Sequence, residues 1–161
     1  MNDFKTDLEY SMDDAVFDNF YKSNFPGLKE IRFEDNLQKQ IKGIDKTLIF
    51  KSGLEITIDE KKRRVDYGDI LLELYSNKET KRKGWLYTAQ CDYMAYAIIP
   101  KKKIYFLPMV LLKITWNENG AKWMNLYKSI EAINKNYTTL SIAIPTNVLL
   151  DALRKKMICD I

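Results

Sequence analysis

Two neighbouring stretches of sequence, GIDKTLIF (43–50) and LEITIDEKKRR (54–64), decide the predicted fold of this chain. Both are rich in β-branched and apolar residues, which favour strands. The polar tripeptide KSG (51–53) between them contains glycine and is typical of a hairpin turn. We therefore predict two antiparallel strands joined by a tight turn.

Side chains on the second strand are expected to alternate between the two faces of the sheet. The isoleucines at 56 and 58 point to one face. Asp59 and Lys61 point to the other. Asp45, on the first strand, comes beside them when the two strands pair antiparallel. The pattern thus predicts that two carboxylates and a lysine converge on one face.

Such a trio suits metal-assisted hydrolysis of a phosphodiester bond. Mg²⁺ takes oxygen ligands from one or two carboxylates and keeps several waters. Asp45 and Asp59 are the predicted metal ligands, with the backbone carbonyl of Glu60 as a further one. Lys61 is predicted to orient or help deprotonate the attacking water and to stabilise the transition state. An exposed strand can also carry the D-x-K spacing for solubility alone, and this alternative stays open.

The other apolar periodicities predict the remaining elements. Helices are predicted at residues 8–21, 88–99, 123–133 and 146–157. Their predicted N-caps are Ser11, Thr88 and Thr146 for the first, second and fourth. Further strands are predicted at 69–76, 103–112 and 138–145, with a solvated hairpin tip or loop at 77–83. This order predicts an α/β (α+β-like) domain with one central mixed sheet flanked by helices.

The composition limits the function classes. The length of 161 residues and the hydrophobic content of 46% fit a single domain over 1–161. The chain contains no histidine, which excludes Ser-His-Asp and Cys-His catalysis and His-coordinated zinc. Cys91 and Cys159 have no CxxC spacing.

Two stretches of the sequence bear on the cellular location of the protein and on its relation to membranes. The apolar run 104–112 is shorter than the roughly 20 residues of a bilayer span. The acidic N-terminus lacks the basic start and apolar middle of a secretory signal. We therefore expect a cytoplasmic protein with no membrane partner.

The charge distribution permits binding to nucleic acid. Lys and Arg number 26 against 22 Asp and Glu, an excess too small to demand such a partner. Residues predicted to contact phosphates form two basic runs, Lys62, Arg63, Arg64 and Lys81, Arg82, Lys83. Lys101–Lys103 form a third run. Trp85, Tyr87, Tyr93 and Tyr96 are candidates for stacking on bases. Solvated surface for the basic runs and core packing for the aromatics are the alternatives.

The motif GID (43–45) followed by IDEK (58–61) resembles the PD-(D/E)XK nuclease superfamily, with Ile44 in place of the proline. The stretches DNLQKQIKGIDKTL, ITIDEKKRR, DILLELYS, KGWLYTAQCDYMAYAI and LSIAIPTNVLLDAL resemble small bacterial and phage members, over about residues 10–155. The resemblance implies a restriction-endonuclease-like core, with a helix, three antiparallel strands, a second helix and a further strand.

It also implies dependence on Mg²⁺ or Mn²⁺, catalytic roles for Asp45, Asp59 and Lys61, and DNA as the expected nucleic acid. A homodimer is consistent with it by analogy.

Further residues are candidates for the neighbourhood of this site. Gln38 and Glu73 are predicted either to lie close to it or to be surface residues. Some members of the superfamily place an acidic residue on the first helix, for which Asp14 and Asp18 are candidates. Two alternative functions stay open: a catalytically inactive nuclease-fold protein that binds nucleic acid or a protein partner, and a small structural or interaction domain.

Overall fold

The computed structural model describes residues 15–158, which divide into two compact units. Among these residues, the first unit comprises 15–65 together with 91–106. The second comprises 66–90 together with 107–158. None of the helices in the described range is long and apolar enough to cross a membrane.

Helices and strands together confirm a mixed α/β protein. The elements of the described residues, in chain order, are α1 (residues 15–24), β1 (Leu28–Phe33), α2 (Leu37–Ile41), β2 (Lys46–Phe50), β3 (Glu55–Arg63), β4 (Asp69–Asn77), β5 (Arg82–Lys83), α3 (Trp85–Thr88), β6 (Tyr93–Ile98), a 3₁₀ turn (Ile99–Lys101), β7 (Lys103–Pro108), α4 (Met109–Leu126), β8 (Ser129–Ile133), β9 (Thr138–Pro145) and α5 (Thr146–Met157).

The first unit is built on a mixed five-stranded sheet in the order β1-β2-β3-β6-β7. The predicted hairpin is present: β2 and β3 pair antiparallel, with Lys46 opposite Ile58. Gly53, in the turn between them, has a φ of +87°, which is readily adopted only without a Cβ. On its other side β3 pairs parallel with β6, so that Asp59 lies beside Met94.

The third antiparallel strand of this sheet is β1, which the sequence analysis did not predict. The predicted third strand, at 69–76, is β4, and it lies in a separate four-stranded sheet in the order β5-β4-β9-β8. The prediction of one central sheet is therefore wrong. The physical reason is burial: Ile70, Leu72 and Leu74 of β4 are buried and β4 pairs antiparallel with β9, whereas β1 consists mostly of exposed and charged residues.

The predicted helix at 88–99 is also wrong, because residues 93–98 form strand β6 and only the short helix α3 precedes it. Five of the six residues of β6 are buried. A strand inside a sheet is often buried on both faces and then shows no alternation. The alanines of this run and the three-residue spacing of Tyr93 and Tyr96 therefore matched the pattern expected of a helix. Thr88 is the last residue of α3 and not an N-cap.

Two further elements differ from the prediction. The strand predicted at 103–112 ends at Pro108, where α4 begins. The helix predicted at 123–133 covers only the end of α4, and residues 129–133 form strand β8. The strand at 138–145 and the helix at 146–157 are confirmed.

Thr146, like Thr88, is not the N-cap of its helix. Thr146 is the first residue of α5 and Pro145 is the cap. The Thr146 hydroxyl donates instead to the carbonyl oxygen of Gly68, at 3.1 Å. The predicted first helix extends to residue 24, and its cap Ser11 and candidate Asp14 lie outside the described residues.

The core of the first unit lies where α1 packs on the sheet. Its fully buried members come from α1, the hairpin and β6, namely Phe17, Tyr21, Leu48, Ile58, Ala95 and Ala97. Phe20, Phe25 and Phe106 extend the cluster with ring centroids 5.3 to 6.1 Å apart. Burial on this face leaves the opposite face of β2 and β3 for Asp45 and Asp59.

We expect Leu48→Ala to lower the free energy of unfolding by about 2–5 kcal/mol, because Leu48 is completely buried and its truncation leaves a cavity. Leu54→Ala is the matched control, since Leu54 is in the same hairpin and is 55% exposed. Its effect should stay within about 0.5 kcal/mol. Urea unfolding of both variants measures the difference, and equal losses would contradict the described packing.

Candidate metal centre

Backbone hydrogen bonds hold Asp45 at the beginning of β2. Its N–H donates to the carbonyl oxygen of Ile58 at 2.8 Å, and its own carbonyl oxygen accepts from the N–H of Glu34 at 2.9 Å. Lys46 lies opposite Ile58 in the antiparallel register. The register of β2 and β3 ends at this pair, and the Asp45 carboxylate lies close enough to Asp59 to help raise the pKa of the Asp59 carboxyl.

The two carboxylates have different hydrogen-bond partners. Asp45 Oδ2 accepts from the backbone N–H of Glu60 at 2.8 Å. Asp59 Oδ1 accepts from Lys61 Nζ at 2.5 Å. The Asp59 side chain is 1% exposed, and its Oδ2 accepts no hydrogen bond from any group in residues 15–158. A buried carboxylate oxygen without a donor is unfavourable, and it marks a place where a cation would be stabilised.

The electrostatics of the pair agree with this geometry. Burial raises the pKa of the Asp59 carboxyl from 3.8 to about 7. The ion pair with Lys61 opposes the rise, and the nearby Asp45 carboxylate adds to it. Burial, followed by the charge of Asp59, also raises the pKa of the Cys91 thiol from 9.0 to about 12. Cys91 is therefore a protonated thiol at neutral pH and is a poor metal ligand.

A hard divalent cation fits this donor set. Mg²⁺ is typically bound by one or two carboxylates and keeps several waters. Across the described residues, no three side chains of His, Cys, Asp and Glu form a group that could hold a metal ion. Asp45 and Asp59 stay the predicted side-chain ligands, beside the predicted carbonyl of Glu60. Lys61 is 35% exposed along its side chain, so the site is open to solvent there.

Gln38 and Glu73 were the other residues predicted near the site. Gln38 is exposed on α2, where its backbone N–H donates to the Asn36 side chain. Glu73 lies on β4 in the second unit, and its Oε1 accepts from the backbone N–H of Trp85 at 3.1 Å. Each has a local structural contact, and a place beside the carboxylates stays a prediction for both.

The aromatic candidates divide between core and surface. Tyr96 is 3% exposed, which excludes stacking on a base. Tyr93 stacks on Phe106 with ring centroids 4.5 Å apart. Tyr87 is 41% exposed, and the ammonium group of Lys83 lies 4.8 Å from its ring centroid. Trp85 is half-buried in α3.

The predicted phosphate-contacting residues lie in both units. Lys62 and Arg63 continue β3 beyond Lys61, and Arg64 follows directly. Lys81 precedes β5, the strand that Arg82 and Lys83 form in the second unit. Their contact with nucleic acid stays a prediction.

Sequence reasoning missed a buried ion-pair cluster on the opposite face of the same hairpin. Lys46 Nζ lies 2.8 Å from Asp18 Oδ1 and 3.0 Å from Glu60 Oε1. Ion pairing outweighs burial and raises the pKa of Lys46, whereas burial raises the pKa of Glu60. A signal was present, because alternation places Lys46 on the same face as the apolar Leu48. A lysine on an apolar face requires an anionic partner.

No protein-family profile, no curated protein and no solved structure matches this chain. The functional assignment therefore depends on the geometry of the residues themselves.

The titration of Asp59 is expected to add a downward slope to the stability of the metal-free protein as the pH rises from about 4 to about 7. The folded-state pKa of Asp59 is raised, so the stability that the protonated carboxyl contributes is complete below its unfolded pKa and is lost through the folded pKa. Asp59→Asn should reduce this slope, as measured by urea unfolding over a pH series.

The control for this measurement is Asp151→Asn, because the Asp151 side chain is 66% exposed on α5. It should keep the wild-type slope. An unchanged slope in Asp59→Asn would show that the Asp59 carboxyl titrates normally and is not buried in the folded protein.

Proposed function

We propose that this protein is a Mg²⁺- or Mn²⁺-dependent nuclease that hydrolyses the phosphodiester bonds of DNA. One observation carries the proposal: the buried Asp59 Oδ2 has no donor within the described chain. The Asp45 carboxylate is near enough to help raise the pKa of Asp59, and the Lys61 amine lies 2.5 Å from the other oxygen of Asp59. Two carboxylates and an amine in one solvent-connected place suit phosphodiester hydrolysis without histidine.

The strand order of the first unit supports a restriction-endonuclease-like core. Helix α1 is followed by three antiparallel strands, β1, β2 and β3, and then by β6 parallel to β3. The superfamily core has this order, with its metal ligands at the beginning of the second strand and on the third. One departure is clear: the chain between β3 and β6 contains β4, β5 and the four-residue α3 in place of a long second helix.

The roles of the residues follow from their positions. Asp45 and Asp59 would hold the metal ion, which when bound supplies positive charge to the reacting phosphate. Lys61 projects from the same face of β3 and reaches solvent, so its amine can hold the attacking water by a hydrogen bond and stabilise charge on the phosphate. The water oxygen forms a bond to phosphorus, the ester bond to the leaving oxygen breaks, and a phosphate monoester and an alcohol result.

The substrate would be held by its phosphates. Lys62, Arg63 and Arg64 continue the chain directly beyond Lys61, and Arg63 lies about 13 Å along the strand from Asp59, at roughly 3.3 Å per residue. A nucleic-acid backbone bound at the carboxylates can therefore extend toward this basic run. Contacts of this kind give affinity without sequence specificity.

The first test of the proposal is metal binding and DNA cleavage. Calorimetry should detect Mn²⁺ binding to the wild-type protein, and Asp45→Asn and Asp59→Asn should abolish it because each removes a ligand charge. Lys61→Met should keep the metal but lower the cleavage rate by about 100-fold or more, measured on single-stranded and duplex DNA.

The control is again Asp151→Asn, which removes one carboxylate from the exposed surface of α5 and should leave both properties unchanged. If the wild-type protein binds no Mn²⁺ or Mg²⁺ and cuts no DNA, the proposal is wrong. Binding of DNA or of a protein without metal would then support the inactive nuclease-fold alternative.

A second prediction concerns the basic run. Replacement of Lys62, Arg63 and Arg64 by glutamine should weaken DNA binding and flatten its salt dependence, by about 0.9 in the slope of log K against log salt for each phosphate that the variant no longer binds. Fluorescence anisotropy over a salt series measures this slope. The matched control replaces Arg154, Lys155 and Lys156 of α5, which removes the same charge, and an equal effect there would show only a response to net charge.

A further inference from the structure

The face of β2 and β3 that packs against α1 contains a buried lysine. Lys46 is 3% exposed, and its ammonium nitrogen lies 2.8 Å from Asp18 Oδ1 and 3.0 Å from Glu60 Oε1. The same nitrogen lies 4.7 Å from the ring centroid of Phe33. A buried ammonium group is unfavourable unless it is paired. The lysine therefore holds both carboxylates in fixed positions.

Glu60 has a second partner on the same face. The phenol of Tyr21 donates to Glu60 Oε1 at 2.9 Å, and Tyr21 is completely buried in the core of the first unit. One carboxylate oxygen thus receives hydrogen bonds from β2 and from α1. The Glu60 side chain therefore has little freedom to rotate. Through these contacts the side chain anchors the backbone of residue 60 to the core.

The anchored residue is also part of the candidate metal centre. Glu60 lies between Asp59 and Lys61 in β3, and its backbone N–H donates to Asp45 Oδ2 at 2.8 Å. Lys46, in turn, directly follows Asp45 in β2. Lys46 and Glu60, which pair on one face of the hairpin, are therefore direct sequence neighbours of the candidate site residues. Lys46 follows Asp45, and Glu60 lies between Asp59 and Lys61.

We propose that Lys46 is a positioning residue, which through its ion pair with Glu60 fixes the peptide whose N–H holds the Asp45 carboxylate in place. The consequence for metal affinity rests on the proposed function. Lys46 does not reach the metal itself, because strand alternation places it on the opposite face.

Stability alone is a weak reason for such a cluster. Replacement of a buried ion pair by apolar residues of similar volume is often neutral or stabilising, whereas removal of one partner leaves an unpaired buried charge. Two kinds of variant separate these effects. Lys46→Met removes the cation alone, and the triple variant Asp18→Asn, Lys46→Met, Glu60→Gln removes every charge of the cluster together.

The first measurement needs no metal. Amide hydrogen exchange at position 60 reports the hydrogen bond to Asp45, and it should accelerate in both variants while the Leu48 amide stays protected. Lys46→Arg keeps the charge and should restore protection at position 60. Lys78→Met is the control, because it removes the ion pair with Glu131 on the surface of the second unit and should leave position 60 unchanged.

The second measurement is Mn²⁺ affinity by calorimetry. The folded triple variant should bind Mn²⁺ about 10–100-fold more weakly than the wild type, the loss typical of residues that support metal ligands, and Lys46→Arg should bind nearly as the wild type does. Unchanged protection at position 60 with unchanged affinity in the folded triple variant overturns the inference. A wild type that binds no Mn²⁺ refutes the proposed function, and hydrogen exchange then still decides whether Lys46 positions Asp45.

Discussion

The antiparallel pairing of β2 with β3 is the constraint on which the candidate site depends. A shift of this register by one residue would move each side chain of one strand to the opposite face. Asp45 would then lose its hydrogen bond from the backbone N–H of Glu60. The register is fixed on one face by Leu48 and Ile58, which are completely buried under α1. Burial of apolar side chains on that face thus sets the position of polar side chains on the other.

Three consecutive residues of β3 divide between these faces. Asp59 and Lys61 form an ion pair on one face, and Glu60 pairs with Lys46 on the other. The backbone N–H of Glu60 connects the two sets, since it donates to Asp45. The peptide group of Glu60 is therefore the link through which we infer that a change on the core side would reach Asp45.

The sequence predicted the parts of this arrangement that depend on local pattern. The hairpin, β9 and α5 follow from alternation, a glycine turn and helical periodicity. The helix predicted where strand β6 lies was wrong, because a run buried throughout has no alternation to distinguish a strand from a helix. Strand β1 was missed because its charged residues hide an edge strand. The pairing of Lys46 with Asp18 joins residues 28 positions apart, and only the packing of α1 on the sheet brings them together.

The energetics of the site would connect the proposed metal binding with folding. Without a cation, Asp59 is buried with an oxygen that no donor of the described chain satisfies, and the raised pKa of its carboxyl shows that its ionised form is disfavoured. Any cation that binds the folded protein alone stabilises it by mass action. The unfavourable carboxylate pair is tolerated because the apolar core under α1 holds the hairpin independently of it. The proposed metal site would require preorganisation of this kind, because two like charges have to be held close together before an ion binds.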